Sequence, residues 1–184
     1  DMGPRITVGS ATMMNKAFEI IEAHWLFGLA PDQIEILIHP QSIIHSMVEF
    51  VDGSMLAQLG VPDMRVPILY CLSHPDRTSF EFQPFDPLRF AQLSFEPIDT
   101  KRFPAVPLAY ETLQRGGTAG AVLNAADEVM TGRFLKGEAS FLDITRVVTD
   151  VVRNTTPTGI ENLSQVLAAD QTAREATLSL TPPS

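Results

Sequence analysis

The sequence predicts an α+β fold: a small, mostly antiparallel sheet with one polar-faced helix, an extended Pro/Phe-rich linker, and a C-terminal helical bundle. Three observations predict it. Residues 1–73 contain β-branched runs, two of them flanking Asp52-Gly53, as strands joined by a hairpin do. Residues 74–103 interleave Pro75, Pro84, Pro87 and Pro97 with Phe80, Phe82, Phe85, Phe90 and Phe95. Prolines extend such a segment and aromatics pin it, so it is not a flexible tether. Residues 104–184 carry apolar stripes at helical spacing, cut by Gly and Pro, the pattern of a small antiparallel bundle.

Each element follows in order. Ile6 to Val8 reads as a short strand. Ser10 and Thr12 then sit where a helix should begin, and either hydroxyl can cap free backbone N–H groups. Met14, Phe18, Ile21 and Trp25 recur at helical spacing and should face a core, leaving Asn15, Glu19 and Glu22 off that stripe. Ile34 to Ile38 reads as a strand. Ile43 to Val51 and Ser54 to Leu59 should pair around the two-residue turn Asp52-Gly53, giving about four strands. One face of that sheet should lie on the helix, and an apolar second face would suit self-association. Pro62-Asp63-Met64-Arg65 reads as a turn. Cys71, after the apolar Ile68-Leu69-Tyr70, should be a buried thiol. Leu93 to Phe95 can add a short strand. Helices are expected at Pro104–Arg115, Ala119–Lys136, Phe141–Arg153 and Leu163–Leu178, with Ser140 and Asn162 as N-caps of the last two. Their apolar stripes are Leu123, Ala126, Met130 and Phe134; Val147, Val148, Val151 and Val152; and Leu163, Val166 and Leu167. Asn124, Asp127 and Glu128 read as solvated or capping polar groups.

Composition narrows the function classes. A chain of 184 residues with 45% hydrophobic content can bury a core. A net charge of −9 argues against nucleic-acid binding, which needs basic patches. No apolar run approaches the roughly 20 residues of a membrane helix. One cysteine, Cys71, excludes an internal disulfide and suits a reducing, cytoplasmic compartment.

The chemistry concentrates in Ser10 to Glu19, SATMMNKAFE. A helix start favours anions, so Ser10, Asn15 and Lys16 can hold one. Asn15 and Glu19, four apart, share a face, and Glu19 offers a carboxylate to a cation further along. The plainer reading of the same residues is a capped surface helix with an ordinary Lys16–Glu19 pair. His39 and His45 flank Pro40-Gln41-Ser42, a spacing that fits no common zinc pattern; a histidine ending a strand is commonly a hydrogen-bonded structural residue.

The wording of these segments goes beyond spacing. MGPRITVGSATMMNKAFEIIEAHWLFG (Met2 to Gly28), IHPQSIIHSMVEF (Ile38 to Phe50), LAQLGVPDMRVPI (Leu56 to Ile68) and LNAADE (Leu123 to Glu128) resemble the 1-deoxy-D-xylulose 5-phosphate reductoisomerase family, in that family's order. The family usually reads VDSATMMNKGLE, so Gly9 stands for its Asp and Ala17-Phe18 for its Gly-Leu. The resemblance implies an NADPH-dependent reductoisomerase of non-mevalonate isoprenoid synthesis, working with Mg²⁺, Mn²⁺ or Co²⁺. It makes the helix after Ser10 the catalytic helix, with Glu19 as metal ligand and Lys16 as catalytic partner. Ser10, Asn15, Lys16, Glu19, Ser42, His45 and Pro62 would surround the phosphorylated substrate, and Met2, Gly3 and Met64 would approach NADPH. It also implies a homodimer built through the sheet.

No Gly-rich dinucleotide-binding fingerprint appears, and the family's D-x-E metal motif, substrate serine and flap lie upstream of its match to Asp1. The 184 residues therefore read as the C-terminal half of a longer enzyme, inactive alone. They divide into a catalytic and dimerisation part (1–73), a linker (74–103) and a helical bundle (104–184). Two other classes stay open: a non-catalytic dimerisation or scaffold module, and a related oxidoreductase acting on another phosphorylated sugar.

Overall fold

Pro4 opens the first helix, where its missing N–H is not needed and its fixed φ suits helix entry. In the computed structural model, which describes residues 3–82, 86, 88 and 91–180, the elements in chain order are α1 (Pro4–Ala11), α2 (Met14–Phe27), a 3₁₀ turn (Pro31–Gln33), β1 (Leu37–Ile38), β2 (Ile44–Glu49), β3 (Met55–Leu59), α3 (Arg65–Ser73), β4 (Glu96–Pro97), α4 (Ala105–Arg115), α5 (Ala119–Leu135), α6 (Phe141–Asn154) and α7 (Leu163–Ser179). The α+β class stands. Two compact units carry it: residues 1–36 with 99–184, and residues 37–98. These units cut the chain at different points from the division at 73 and 103, because α2 packs on α4 and α1 on α5.

The expected strand at Ile6 to Val8 is instead the middle of α1. β-branched residues are poor helix formers, but burial overrides a preference of a few tenths of a kcal/mol. Here Val8 is buried and α1 packs against α2 and α5. The buried face of α2 is Met14, Ala17 and Ile20, not the Phe18–Ile21–Trp25 row; Trp25 is 70% exposed. The reason is close approach. Ala17, Ala105 and Ala109 are all fully buried, so α2 and α4 meet along small residues.

Around α5 the bundle follows the expected helices to within two residues at every end. α5 packs against α6, α7, α1 and α4, and Leu123, Ala126 and Met130 are fully buried on it. The valine row of α6 is buried, but Leu163 and Leu167 of α7 are exposed. α7 meets α5 with Ala173 and Thr177 instead. Ser140 precedes α6 with both its N–H and its hydroxyl donating to the Asp143 carboxylate at 3.0 and 2.7 Å. Asn162 caps α7 reciprocally: its Oδ1 accepts from the Gln165 N–H at 3.2 Å and its own N–H donates to Gln165 Oε1 at 3.3 Å.

The unit of residues 37–98 has two antiparallel ladders, β1 with β4 and β2 with β3, in place of a four-stranded sheet. Only Leu37 and Ile38 of the expected Ile34–Ile38 strand pair, and the linker strand lies at Glu96–Pro97, just past Leu93–Phe95. The hairpin forms where expected, Met47 opposite Ala57 and Val48 opposite Leu56. Its loop has three residues, not two. The Gly53 N–H donates to the Phe50 carbonyl, and the Phe50 N–H donates to the Ser54 carbonyl. Gly53 takes φ +80°, the left-handed residue a three-residue loop needs. No residue of β2 or β3 is buried within the unit, so the hairpin does not rest one face on a helix there. α3 begins where only a turn was expected, and Cys71 on it is exposed, not buried. Pro84, Phe85, Pro87 and Phe90 of the linker lie outside the described residues.

The α7 cap yields a first expected outcome. Asn162→Ala should cost about 1 kcal/mol in urea unfolding, whereas Asn162→Asp should stay within a few tenths. Equal loss in both variants would show that the contact does not depend on the accepting oxygen.

Candidate functional site

A hydroxyl places the polar cluster of α1 and α2. The Thr12 hydroxyl is buried, donates to the Val8 carbonyl at 3.0 Å and accepts from the Met14 N–H at 3.3 Å. Met13 turns the chain with φ +61°, a conformation that costs a non-glycine residue of the order of 1 kcal/mol. The helix therefore ends at Ala11 and restarts at Met14. Ser10 and Thr12 do not begin it, as the sequence reading expected: Ser10 lies in the last turn of α1, and Thr12 closes that helix.

The break brings Ser10 and Asn15 together. Asn15 Nδ2 donates to Ser10 Oγ at 3.1 Å and lies 3.5 Å from the Ile6 carbonyl. One residue on, Lys16 Nζ donates to both oxygens of Glu19 at 2.9 and 2.8 Å. Their side chains are 47% and 53% exposed, so in this state the pair is a surface ion pair worth at most about 1 kcal/mol. Gly3 is exposed at the N-cap of α1, and its carbonyl accepts from the Thr7 N–H at 3.1 Å. Met2 lies outside the described residues. Among the described residues no three His, Cys, Asp or Glu side chains cluster as a metal site. Glu19 is thus a single oxygen donor, right in kind for a hard divalent ion and short in number.

The remaining predicted residues belong to the other unit. Ser42 has φ +51° and donates its N–H to the His39 carbonyl at 3.0 Å. Among the described non-glycine residues, only Met13 and Ser42 have positive φ. Both lie in segments singled out from the sequence, and such conformations gather at functional positions. His39 is structural: its Nδ1 lies 2.8 Å from the Ser94 carbonyl and its ring stacks on Phe95 at 4.9 Å. Ser42, His45 and Pro62 are exposed. Met64 is 72% exposed and precedes α3. The Arg65 backbone N–H and guanidinium both bind the Asp63 carboxylate, which holds that carboxyl below its usual range.

The sequence reading missed part of the cluster. Arg5, Gly9, Asn15, Glu22, Asn124 and Asp127 line an open cleft of about 300 Å³ between α1, α2 and α5. Asp127 is buried, and desolvation pushes its carboxyl up to about 6, against the opposing pull of Arg5 and the Thr131 hydroxyl. Glu128 pairs with Arg5 at 2.8 Å and with Arg174; the Arg174 contact leads in holding its carboxyl below the usual range. These are not free solvated groups. The available signal was position: Asp127 sits four residues after Leu123 and three before Met130, on the apolar stripe itself.

Residues 59–176 match the family described as DXP reductoisomerase C-terminal domain, and residues 1–27 match a 1-deoxy-D-xylulose 5-phosphate reductoisomerase C-terminal domain. The chain belongs to the 1-deoxy-D-xylulose 5-phosphate reductoisomerase family. It is 54% identical over 175 residues to the enzyme of that name from Nitrosospira multiformis, covering 95% of this chain and 44% of that protein. With the Acidithiobacillus ferrooxidans enzyme it shares 52% over 177 residues, 96% of this chain and 45% of the relative. The reductoisomerase from Zymomonas mobilis, solved in complex with NADPH, superposes with TM-score 0.91 at 44% identity, covering 98% of this chain and 48% of that one. A DOX-P reductoisomerase in complex with NADPH, fosmidomycin and magnesium gives 0.87 at 36%, covering 97% and 46%. The chain spans about half the length of the relatives it matches.

Asp127 gives the second expected outcome. A carboxyl that ionises near 6 in the fold and near 3.8 unfolded holds its proton more tightly when folded. Its penalty is absent below pH 4, grows between pH 4 and 6 and is complete above. At that size it reaches roughly 3 kcal/mol. The stability of Asp127→Asn relative to the wild type should rise across pH 4–6 in denaturant titrations. A difference that does not change with pH would mean the carboxyl ionises normally.

Proposed function

We propose that this chain supplies the substrate-phosphate and metal-ligand segment of a reductoisomerase. The reaction would convert 1-deoxy-D-xylulose 5-phosphate to 2-C-methyl-D-erythritol 4-phosphate with NADPH and Mg²⁺, Mn²⁺ or Co²⁺. The observation that carries the reading is the α1–α2 break, which sets the Ser10–Asn15 pair beside the Lys16–Glu19 pair in a segment, residues 1–27, that matches the family. A hydroxyl and an amide give directional hydrogen bonds to a phosphoryl group, and Lys16 adds a compact charge. Glu19 would be one of several oxygen ligands to the metal. A bound divalent ion would supply Lewis-acid polarisation and a template for the substrate oxygens.

Within this scheme Lys16 has two partners. With no phosphate it neutralises Glu19. A substrate phosphate competes for it, and its departure would leave the Glu19 carboxylate free for a cation. Phosphate and metal would then favour each other through one side chain. Ser42, His45 and Pro62 would complete the substrate surroundings, with Gly3, Met2 and Met64 toward NADPH; a Cβ on Gly3 would meet nothing within 4 Å, which leaves room for a ligand. Functionally, we keep 1–73 as the catalytic and dimerisation part, 74–103 as linker and 104–184 as supporting bundle.

A homodimer through the sheet is part of the same proposal. Val48, Met55 and Leu56 of the hairpin are each more than half exposed, and a second copy would cover them. Among the described residues no helix is long and apolar enough to cross a membrane, and a cytoplasmic location fits the pathway. The exposed hairpin equally favours a pure dimerisation module, which would dimerise without affinity for metal or NADPH.

Two measurements on the full-length enzyme test the assignment. Lys16→Ala should lower kcat/KM about tenfold to a hundredfold, the worth of one charge-assisted contact; an unchanged value would return Lys16 to a surface role. Glu19→Gln keeps the shape and removes the charge. It should raise the Mg²⁺ or Mn²⁺ needed for half-maximal rate and leave the NADPH dependence alone. Superimposable metal titrations would remove Glu19 from the metal.

A further inference from the structure

We propose that Gln41 is a positioning residue that acts through Ser42; its relevance to turnover rests on the reading of Ser42 as a substrate contact. The ladder of β1 and β4 sets Leu37 opposite Pro97 and Ile38 opposite Glu96. Continued outward, that register sets His39 opposite Phe95 and Pro40 opposite Ser94. His39 and Phe95 do meet, their rings stacked at 4.9 Å. Pro40 cannot continue the ladder, because it has no N–H to donate. The side chains on either side of it take over. His39 Nδ1 lies 2.8 Å from the Ser94 carbonyl. The Ser94 N–H donates to Gln41 Oε1 at 3.3 Å, and Gln41 Nε2 donates to Ser94 Oγ at 2.8 Å. The Gln41 amide thus uses its acceptor and a donor on one residue, 53 positions along the chain.

Both peptide units that flank Ser42 are thereby held. On one side, Pro40 and Gln41 are the central residues of a turn closed by the Ser42 N–H on the His39 carbonyl at 3.0 Å, and the Gln41 side chain ties that turn to Ser94. On the other, Ile43 is buried and its carbonyl accepts from the Gly60 N–H at 3.0 Å. Ser42 takes up the change of direction between them at φ +51°, a conformation that a non-glycine residue keeps only where its surroundings impose it. Gln41 is the part of those surroundings that can be removed cleanly: its side chain is only partly buried, so truncation opens no core cavity. The Pro/Phe-rich segment is then more than a connection, since through Ser94 it holds the turn that presents Ser42. Without Gln41 the turn can relax, and a substrate would have to order Ser42 on binding.

The experiment uses the full-length enzyme with Gln41→Ala, Ser42→Ala, the double variant and Ser94→Ala, accompanied by crystal structures of Gln41→Ala and Ser94→Ala. In Gln41→Ala, Ser42 should leave the positive-φ region and KM for the phosphorylated substrate should rise about tenfold, with KM for NADPH unchanged. Ser94→Ala removes only the hydroxyl end of the clamp and keeps the backbone N–H, so the same KM should rise by about threefold. In the Ser42→Ala background, Gln41→Ala should add less than about twofold, because its intermediary is gone. A Ser42 that keeps its positive φ in the Gln41→Ala crystal would overturn the proposal. So would a KM effect that persists undiminished in the Ser42→Ala background. Where Gln41→Ala does not fold, Ser94→Ala carries the test: a substrate KM and a Ser42 φ both unchanged in it would overturn the proposal. A relaxed Ser42 with no KM change in any single variant would uphold the positioning contact and refute the substrate role of Ser42 instead.

Discussion

The site segment depends on the interruption of one helix. From Pro4 to Phe27 the chain could run as a continuous helix, which would put Ser10 and Asn15 five residues apart on different faces. Thr12 prevents this by satisfying with its hydroxyl both a carbonyl of the last turn of α1 and the N–H that opens α2. The buried hydroxyl thereby pairs one N–H that a continuous helix would have bonded along its axis, which lowers the cost of the break. The left-handed Met13 supplies the change of direction. Polar groups that sequence spacing would separate are thereby brought within hydrogen-bond distance.

The second constraint is that α1 is short and cannot hold its own place. A helix of eight residues is marginal in water. Two contacts fix it: Val8 enters the core, and Arg5 pairs with Glu128, which in turn pairs with Arg174, itself bound to Asp170 at 2.7 Å. The chain of charges links α1, α5 and α7. Partly exposed pairs of this kind add little stability each, so their contribution is register, setting where α1 sits along α5. This ties the bundle to the candidate site in a way that none of its residues shows singly. Its polar triad Asn124, Asp127 and Glu128 in fact faces the same cleft as Gly9 and Asn15, or holds the helix that bears them.

What was legible in the sequence follows from where the controlling interactions lie. The four bundle helices were readable because their caps and stops are local: Asn162 with Gln165, Ser140 with Asp143, Gly137 after Phe134. The hairpin was readable for the same reason, although one residue of its loop was not, since Asp52-Gly53 alone does not say whether Val51 joins the turn. The strand expected at Ile6–Val8 failed because tertiary burial outweighed β-propensity. The Trp25 stripe failed because alanines, not large residues, form the tightest approach of α2. Asp127 was misread because a carboxyl on an apolar stripe looks like an exception to be solvated, whereas burial keeps it and raises its proton affinity. The candidate residues Ser10, Asn15, Lys16 and Glu19 could be named from wording alone, but the Ser10–Asn15 contact could not, because it depends on a break where the sequence reading expects a helix to begin.

A net charge of −9 poses a physical question for a chain proposed to hold a phosphate. The arginine of α1 and the lysine of α2 are both committed, Arg5 to Glu128 and Lys16 to Glu19. Arg5 is the less available, since Glu128 is the junction of the network that positions α1. Lys16 is bound only to a neighbour three residues along, with both side chains about half exposed. Releasing it forfeits at most about 1 kcal/mol, while a charge-assisted bond to a phosphate oxygen returns about 1.5–3 kcal/mol. The exchange therefore favours the anion even within a negative global field. In the proposed scheme the exchange would leave the Glu19 carboxylate without its ion-pair partner next to the bound anion, an arrangement that a cation arriving with the phosphate would relieve, which is the part proposed for the metal.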